Sequence, residues 1–226
     1  MSNRPRTRPS RVAPIAGALL CTAALAAPWP ASAAEVRVRG EAPFRIPSAE
    51  TLRALPADAP IRADDVRAGS IGFEIVYDDA APDADPDAYS GRYDAAIRAF
   101  RVRVGGTWHE LPVAAAQLRV SDGGGGMAHR ESLAMTGVAR HGALELRAGW
   151  VQLNQAPPGR DLRGTPGVIG SDALPRGDAV TRFETSGEFD RVFYVRLDPV
   201  GDTSRPVLYL STSSLSVDVA TAGSGR

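Results

Sequence analysis

Hydrophobic and polar residues alternate with a period of two along most of the chain. Ile71, Phe73, Ile75 and Tyr77 share one parity, with Gly72, Glu74 and Val76 on the other. Phe100, Val102 and Val104 alternate with Arg101 and Arg103, and Leu144, Leu146 and Trp150 fall opposite Glu145 and Arg147. Phe189, Phe193, Val195 and Leu197 share a parity that Arg191 interrupts, and Leu215, Val217 and Val219 alternate with Ser216 and Asp218. Successive side chains of a strand point to opposite faces, so each run predicts a strand with one buried face and one wet face. Strands are expected near residues 35–39, 70–78, 97–104, 107–111, 116–121, 128–135, 142–153, 180–185, 190–198, 206–211 and 214–220.

Turn residues punctuate these runs. Gly105-Gly106 lies between two of them and predicts a two-residue hairpin. Asp202-Thr203-Ser204 before Pro206 predicts another turn. Residues 154–179 hold Pro157, Pro158, Gly159, Gly164, Pro166, Gly167 and Gly170, the composition of a long loop. Such a loop either carries function or simply covers the fold. The one helix candidate is Ser48 to Leu55, with Ser48 as N-cap and Pro56 as its stop. The pattern predicts an all-β fold, an antiparallel β-sandwich of jelly-roll-like character with one long Pro/Gly-rich loop and at most a short helix.

The beginning of the chain reads differently. Arg4, Arg6, Arg8 and Arg11 precede an apolar stretch from Val12 to Ala27, and Ala31-Ser32-Ala33-Ala34 supplies small residues. A basic start, a short apolar middle and a small-residue exit describe a secretory signal peptide. An uncleaved anchor is the alternative, but the apolar stretch falls short of the ~20 residues of a membrane span. The expected organisation is a signal peptide at 1–34, one β-sandwich domain at 35–220 and a frayed tail at 221–226, in a secreted or periplasmic protein with no integral membrane span once the signal is removed.

Composition narrows the chemistry. All 26 basic residues are arginine, so a lysine nucleophile, a lysine Schiff base and a P-loop are excluded. The single cysteine, Cys21, lies in the leader, which removes disulfides, thiolate zinc sites and cysteine catalysis from the mature chain. Residues 1–34 hold four arginines and no acid, leaving 22 bases against 26 acids. That balance offers no electrostatic footprint for nucleic acid.

Seven acids and one base, Arg92, lie between Ser70 and Ile97. Asp78, Asp79, Asp83, Asp85 and Asp87 crowd together just past a predicted strand, and Asp94 follows. Close carboxylates repel, and a hard divalent cation with oxygen ligands relieves that repulsion. The spacing Asp83-x-Asp85-x-Asp87 with Asp94 at the twelfth position matches a calcium loop in part. Ala88 stands where that motif needs glycine and no flanking helices are predicted, so an EF-hand is rejected. A strand-to-loop calcium site formed by Asp78, Asp79, Asp83, Asp85, Asp87 and Asp94 stays as one expectation. The other is a solvated acidic loop whose aspartates cap turns or pair with arginines.

The segment from Gly72 to Gly106 resembles one found in uncharacterised secreted bacterial proteins, many of which carry a PEP-CTERM sorting tail. Tyr77-Asp78, the run Pro82 to Asp87, Gly91-Arg92-Tyr93 and Ala96-Ile97 carry the likeness in order, and Ser171-Asp172-Ala173-Leu174-Pro175 followed by Phe183 extends it. The tail is not matched, since no Pro-Glu-Pro or apolar span follows Val219. The resemblance implies secretion and a β-rich fold, and no chemistry.

Catalytic motifs are sparse. His109, His129 and His141 form no H-x-H or H-E-x-x-H pattern, and no G-x-S-x-G elbow occurs. Gly123 to Gly126 lack a following helix and a lysine, and read as a linker. Glu74, Glu131 and Glu145 lie on predicted strands and could supply a glycosidase pair. Trp150 is in phase with Leu144 and Leu146 and is expected in the core, whereas Trp108, beside the Gly-Gly turn, is the candidate exposed ligand-binding aromatic. No catalytic residue is assigned. The expectation is a non-enzymatic binding or scaffold module for an extracellular ligand or surface, with calcium as the candidate cofactor. A carbohydrate-active hydrolase and a structural surface or matrix protein are the alternatives.

Overall fold

The structure is a computed structural model and describes residues 34–157, 159–164, 169–180 and 188–222. The expected signal peptide and most of the expected strand at 180–185 lie outside the described residues. In chain order the elements are β1 (Glu35–Pro43), α1 (Ala49–Arg53), α2 (Ala63–Arg67), β2 (Ser70–Asp78), β3 (Ser90–Tyr93), β4 (Ile97–Val104), β5 (Thr107–Glu110), β6 (Gln117–Asp122), β7 (Arg130–His141), β8 (Leu144–Gln155), β9 (Glu188–Pro199), β10 (Leu208–Thr212) and β11 (Ser216–Ala222). They build two antiparallel sheets, β11-β1-β2-β4-β5 and β10-β9-β8-β7-β6-β3, packed face to face as an all-β sandwich.

The alternation is realised in the packing. Val36, Val38, Phe73, Ile75, Tyr77, Phe100, Val102 and Val104 of the first sheet are buried against Leu118, Met135, Leu146, Trp150, Phe193 and Val195 of the second. The Phe73 ring lies 5.4 Å from Trp150 and 4.8 Å from Phe193, which ties the two layers together at their centre. Gly40 makes this possible, because a Cβ there would come within 2.4 Å of the Phe73 ring. Burying aromatic side chains of this size supplies a large share of the hydrophobic stabilisation of a domain. β2 is central in its sheet and is buried on both faces, so even Glu74 and Val76 on its outer side are covered.

The hairpin at Gly105-Gly106 forms as expected, with Val104 opposite Thr107 and Gly105 at φ 57°. Ser48 caps α1 by accepting the Thr51 N–H at 3.1 Å, and Leu52 points into the core. Three features depart from the sequence reading. β3 forms inside the acidic run, α2 was not expected, and β11 pairs through Ala222 with Glu35, two residues into the segment read as tail. Residues 223–226 lie outside the described residues. Between β8 and β9 a short 3-10 turn forms at Gly177–Val180. No helix among the described residues is long and apolar enough to cross a membrane.

Candidate functional site

Residues that alternate outward on the first sheet form two rungs across it. Asp218, Arg39, Glu74, Arg101 and Glu110 stand side by side on β11, β1, β2, β4 and β5, each opposite in charge to its neighbour. Opposite charges on facing strand positions attract. Next to this rung lie Ser216, Glu41, Gly72, Arg103 and Trp108 in the same strand order. Gly72 leaves the middle of the second rung empty, and the Arg103 guanidinium reaches across it to the Glu41 carboxylate. A Cβ at Gly72 would sit 3.1 Å from the Gly40 carbonyl oxygen, so the dent depends on glycine.

The result is an open concavity of about 530 Å³ between the two rungs, walled on the β5 side by Trp108. Trp108 is 43% exposed although it is among the largest side chains in the protein. Its ring lies under two guanidinium groups, with Arg101 Cζ at 4.6 Å and Arg103 Cζ at 5.7 Å from the centroid. Cation–π contacts of this kind hold an aromatic ring in a fixed orientation. The Nε atoms of Arg101 and Arg103 have no hydrogen-bond partner. Glu74 accepts from Arg39 Nε and from Arg101 at 3.1 Å. Burial pushes its carboxyl up, but the hydrogen bonds from Arg39 and Arg101 and their charges outweigh burial and hold it below its ordinary value.

The acidic residues singled out in the sequence are each engaged within the protein. Asp78 pairs with Arg98 at 2.8 Å and accepts the Ala80 N–H at 2.9 Å. Asp79 accepts the Ala34 N–H at 3.0 Å and pairs with Arg176 at 2.9 Å. Asp83 accepts from the Asp85 and Arg92 N–H groups, both at 2.8 Å, Asp85 from Asp87 at 3.1 Å, and Asp87 from Tyr89 at 2.9 Å and Gly125 at 3.2 Å. Asp94 pairs with Arg92 at 3.1 Å. The geometry is a run of Asx turns, in which the side chain substitutes for a backbone acceptor. Among the described residues no three Asp, Glu, His or Cys side chains converge in a way that could hold a metal ion.

The three candidate glutamates are not brought together. Glu74 faces out of the first sheet, Glu131 is buried on the inner face of the second, and Glu145 lies on the outer face of the second beside Arg147. Trp150 is fully buried, as its phase with Leu146 implies. Compared with known protein families, curated proteins and solved structures, the chain matches none. The outer concavity is therefore read on its own chemistry. The sequence singles out Trp108 as the exposed aromatic but not its neighbours Gly72, Glu41, Arg101 and Arg103 in this concavity. The signal was present in the hairpin, since a two-residue turn at Gly105-Gly106 fixes Arg103 opposite Trp108.

Proposed function

We propose that this protein is a secreted, non-enzymatic binding module that holds a neutral polyhydroxylated ligand, a stretch of glycan, on the outer face of its first sheet. The observation that carries the reading is Trp108, an exposed indole held beneath Arg101 and Arg103 at the rim of a concave sheet face. An aromatic face accepts the apolar face of a sugar ring, while neighbouring donors and acceptors bond its hydroxyls. The concavity supplies both kinds of group, because Arg39, Arg101 and Arg103 alternate with Glu41, Glu74 and Asp218. Three cations against three anions leave no net field to select a polyanion. The basic leader supports export of the module to the periplasm or beyond.

Binding is favoured over hydrolysis by the state of Glu74. A glycosidase proton donor needs a carboxyl held protonated near neutral pH, and Glu74 is held in the opposite direction by two arginines. The test is affinity electrophoresis and calorimetry with a panel of soluble neutral and acidic polysaccharides. Retardation by a neutral polysaccharide that is lost in Trp108→Ala, without release of reducing ends, is the expected result. No retardation by any member of the panel, or retardation unchanged in Trp108→Ala, would overturn the reading. Release of reducing ends would replace it with the hydrolase.

A further inference from the structure

The inner face of the second sheet is apolar for most of its length and turns polar at one end. Asp122 of β6 stands opposite Glu131 of β7, and Glu131 stands opposite Asn154 of β8. The three are 2%, 1% and 1% exposed, at positions where alternation would put core residues. The loop after β8 covers them, with Leu162 itself buried and its N–H donating to the Ala128 carbonyl at 2.7 Å. Asp122 Oδ2 accepts the Gly164 N–H at 2.8 Å, and Glu131 Oε2 accepts from Asn154 Nδ2 at 2.9 Å. The Gly170 backbone N–H also approaches the Glu131 carboxyl, but the other oxygen of each side chain, Asp122 Oδ1, Glu131 Oε1 and Asn154 Oδ1, is buried with no partner in hydrogen-bond geometry. Buried polar atoms are almost always satisfied, so three acceptors without a donor on adjacent strands call for a positively charged or protonated guest.

The surrounding charges favour a cation. Asp161 and Asp172 add further negative potential at Asp122. Arg163 opposes them, but its guanidinium is held by Asp161 at 3.0 and 3.1 Å and lies over the Tyr89 ring at 5.1 Å. Two carboxylates and one amide carbonyl are all hard oxygen donors, the set that calcium prefers and that soft metals avoid. We infer that Asp122, Glu131 and Asn154 form a calcium-type cation site that fastens the loop after β8 onto the end of the sandwich. The site is separate from the acidic run at 78–94, where the aspartates are already occupied by backbone N–H groups and arginines. It is also independent of the binding face on the other sheet.

The experiment uses the full chain, stripped with chelator and dialysed, and follows melting temperature and tryptic cleavage at Arg160 and Arg163. Millimolar calcium is expected to raise the melting temperature by about 5 °C and to slow cleavage, with magnesium much weaker. Glu131→Gln and Asp122→Asn relieve the repulsion between the carboxylates, and both are expected to fold and to lose the calcium response. Asp85→Asn is expected to keep it. No calcium effect on the wild-type chain overturns the inference. So does a response that survives in Glu131→Gln, or one abolished by Asp85→Asn. If neither site variant folds, infrared spectroscopy of the wild-type chain decides. A protonated-carboxyl band that disappears on adding calcium supports the site, and a band that persists at saturation means the pair shares a proton instead.

Discussion

The Tyr77 hydroxyl donates to the Pro175 carbonyl at 2.6 Å, joining β2 to the loop before the 3-10 turn across 98 residues of chain. Tyr93 repeats the arrangement, its hydroxyl donating to the Asp172 carbonyl at 2.8 Å. Gly91 admits that contact, since a Cβ there would lie 2.4 Å from the Asp172 oxygen. The segment around Tyr77 and Tyr93 and the segment at 171–175 therefore touch. Their chemistry is that of a latch, in which phenols at the end of the sandwich satisfy part-buried loop carbonyls.

Tyr77→Phe removes one donor and leaves the ring packing intact. The Pro175 carbonyl then loses its partner in a part-buried site, which costs ~1–2 kcal/mol. Urea denaturation should show a lower midpoint at unchanged slope, and limited proteolysis should show faster cleavage within 156–176. A variant as stable as wild type with an unaltered cleavage pattern would mean that the latch contributes nothing.

Gly40→Ala tests the joint between the sheets. The added methyl meets the Phe73 ring at 2.4 Å, and the ring is confined by Trp150 and Phe193. Phe73 must leave its place or β1 must shift, and overpacking of this kind costs ~1–3 kcal/mol. The expected signature is a loss of stability with a change in near-ultraviolet dichroism, because Trp150 loses its stacking partner. Gly40→Ala combined with Phe73→Leu should recover part of the loss.

Much of the fold was legible because burial of one face of a strand imposes a period of two that a single sequence displays. β2, β4 and β8 announce themselves through Phe73, Phe100 and Trp150, and the Gly105-Gly106 hairpin through its turn chemistry. β3 and α2 are four and five residues long, as β5 and α1 are, but they lack the Gly-Gly turn and the serine cap that announce those two. The interruption at Arg191 was visible but had no explanation until its Nε was found donating to Gln152 Oε1 at 3.0 Å. The arginines around Trp108 needed strand register, which composition does not contain. Asp122, Glu131 and Asn154 come from three strands and form no motif along the chain, so only pairing unites them.

Glu74→Gln should weaken both the sheet and its outer face. The wild-type carboxylate answers Arg39 and Arg101 from a position only 10% exposed, and hydrogen bonds to charged groups contribute ~1.5–3 kcal/mol. Its pKa lies below the unfolded value of 4.5, so its contribution is complete above that value and is lost as pH falls through the folded value. Chemical denaturation across the acid limb should therefore give a shallower slope for Glu74→Gln than for wild type. Loss of the Arg101 partner should also loosen Trp108, seen as a red shift of its emission. Equal slopes would remove Glu74 from the acid response.

His109 produces a second pH dependence in a different window. The imidazole is half-buried on the face of β5 opposite to Trp108, and its Nε2 has no hydrogen-bond partner. Burial holds its pKa below 6.5, the charge of Asp65 opposes burial without overcoming it, and His141 adds a still smaller push downwards. A group held neutral by the fold binds its proton more readily when the chain unfolds. Its contribution is therefore full above 6.5 and declines as pH falls from there through the folded value. The wild-type melting temperature should drop on going from pH 7.5 towards 5, before the carboxylates of the acid limb titrate. His109→Gln keeps a polar side chain of similar length without the titration, so its melting temperature should be flat over the same interval. A slope that survives the substitution would remove His109 as its source.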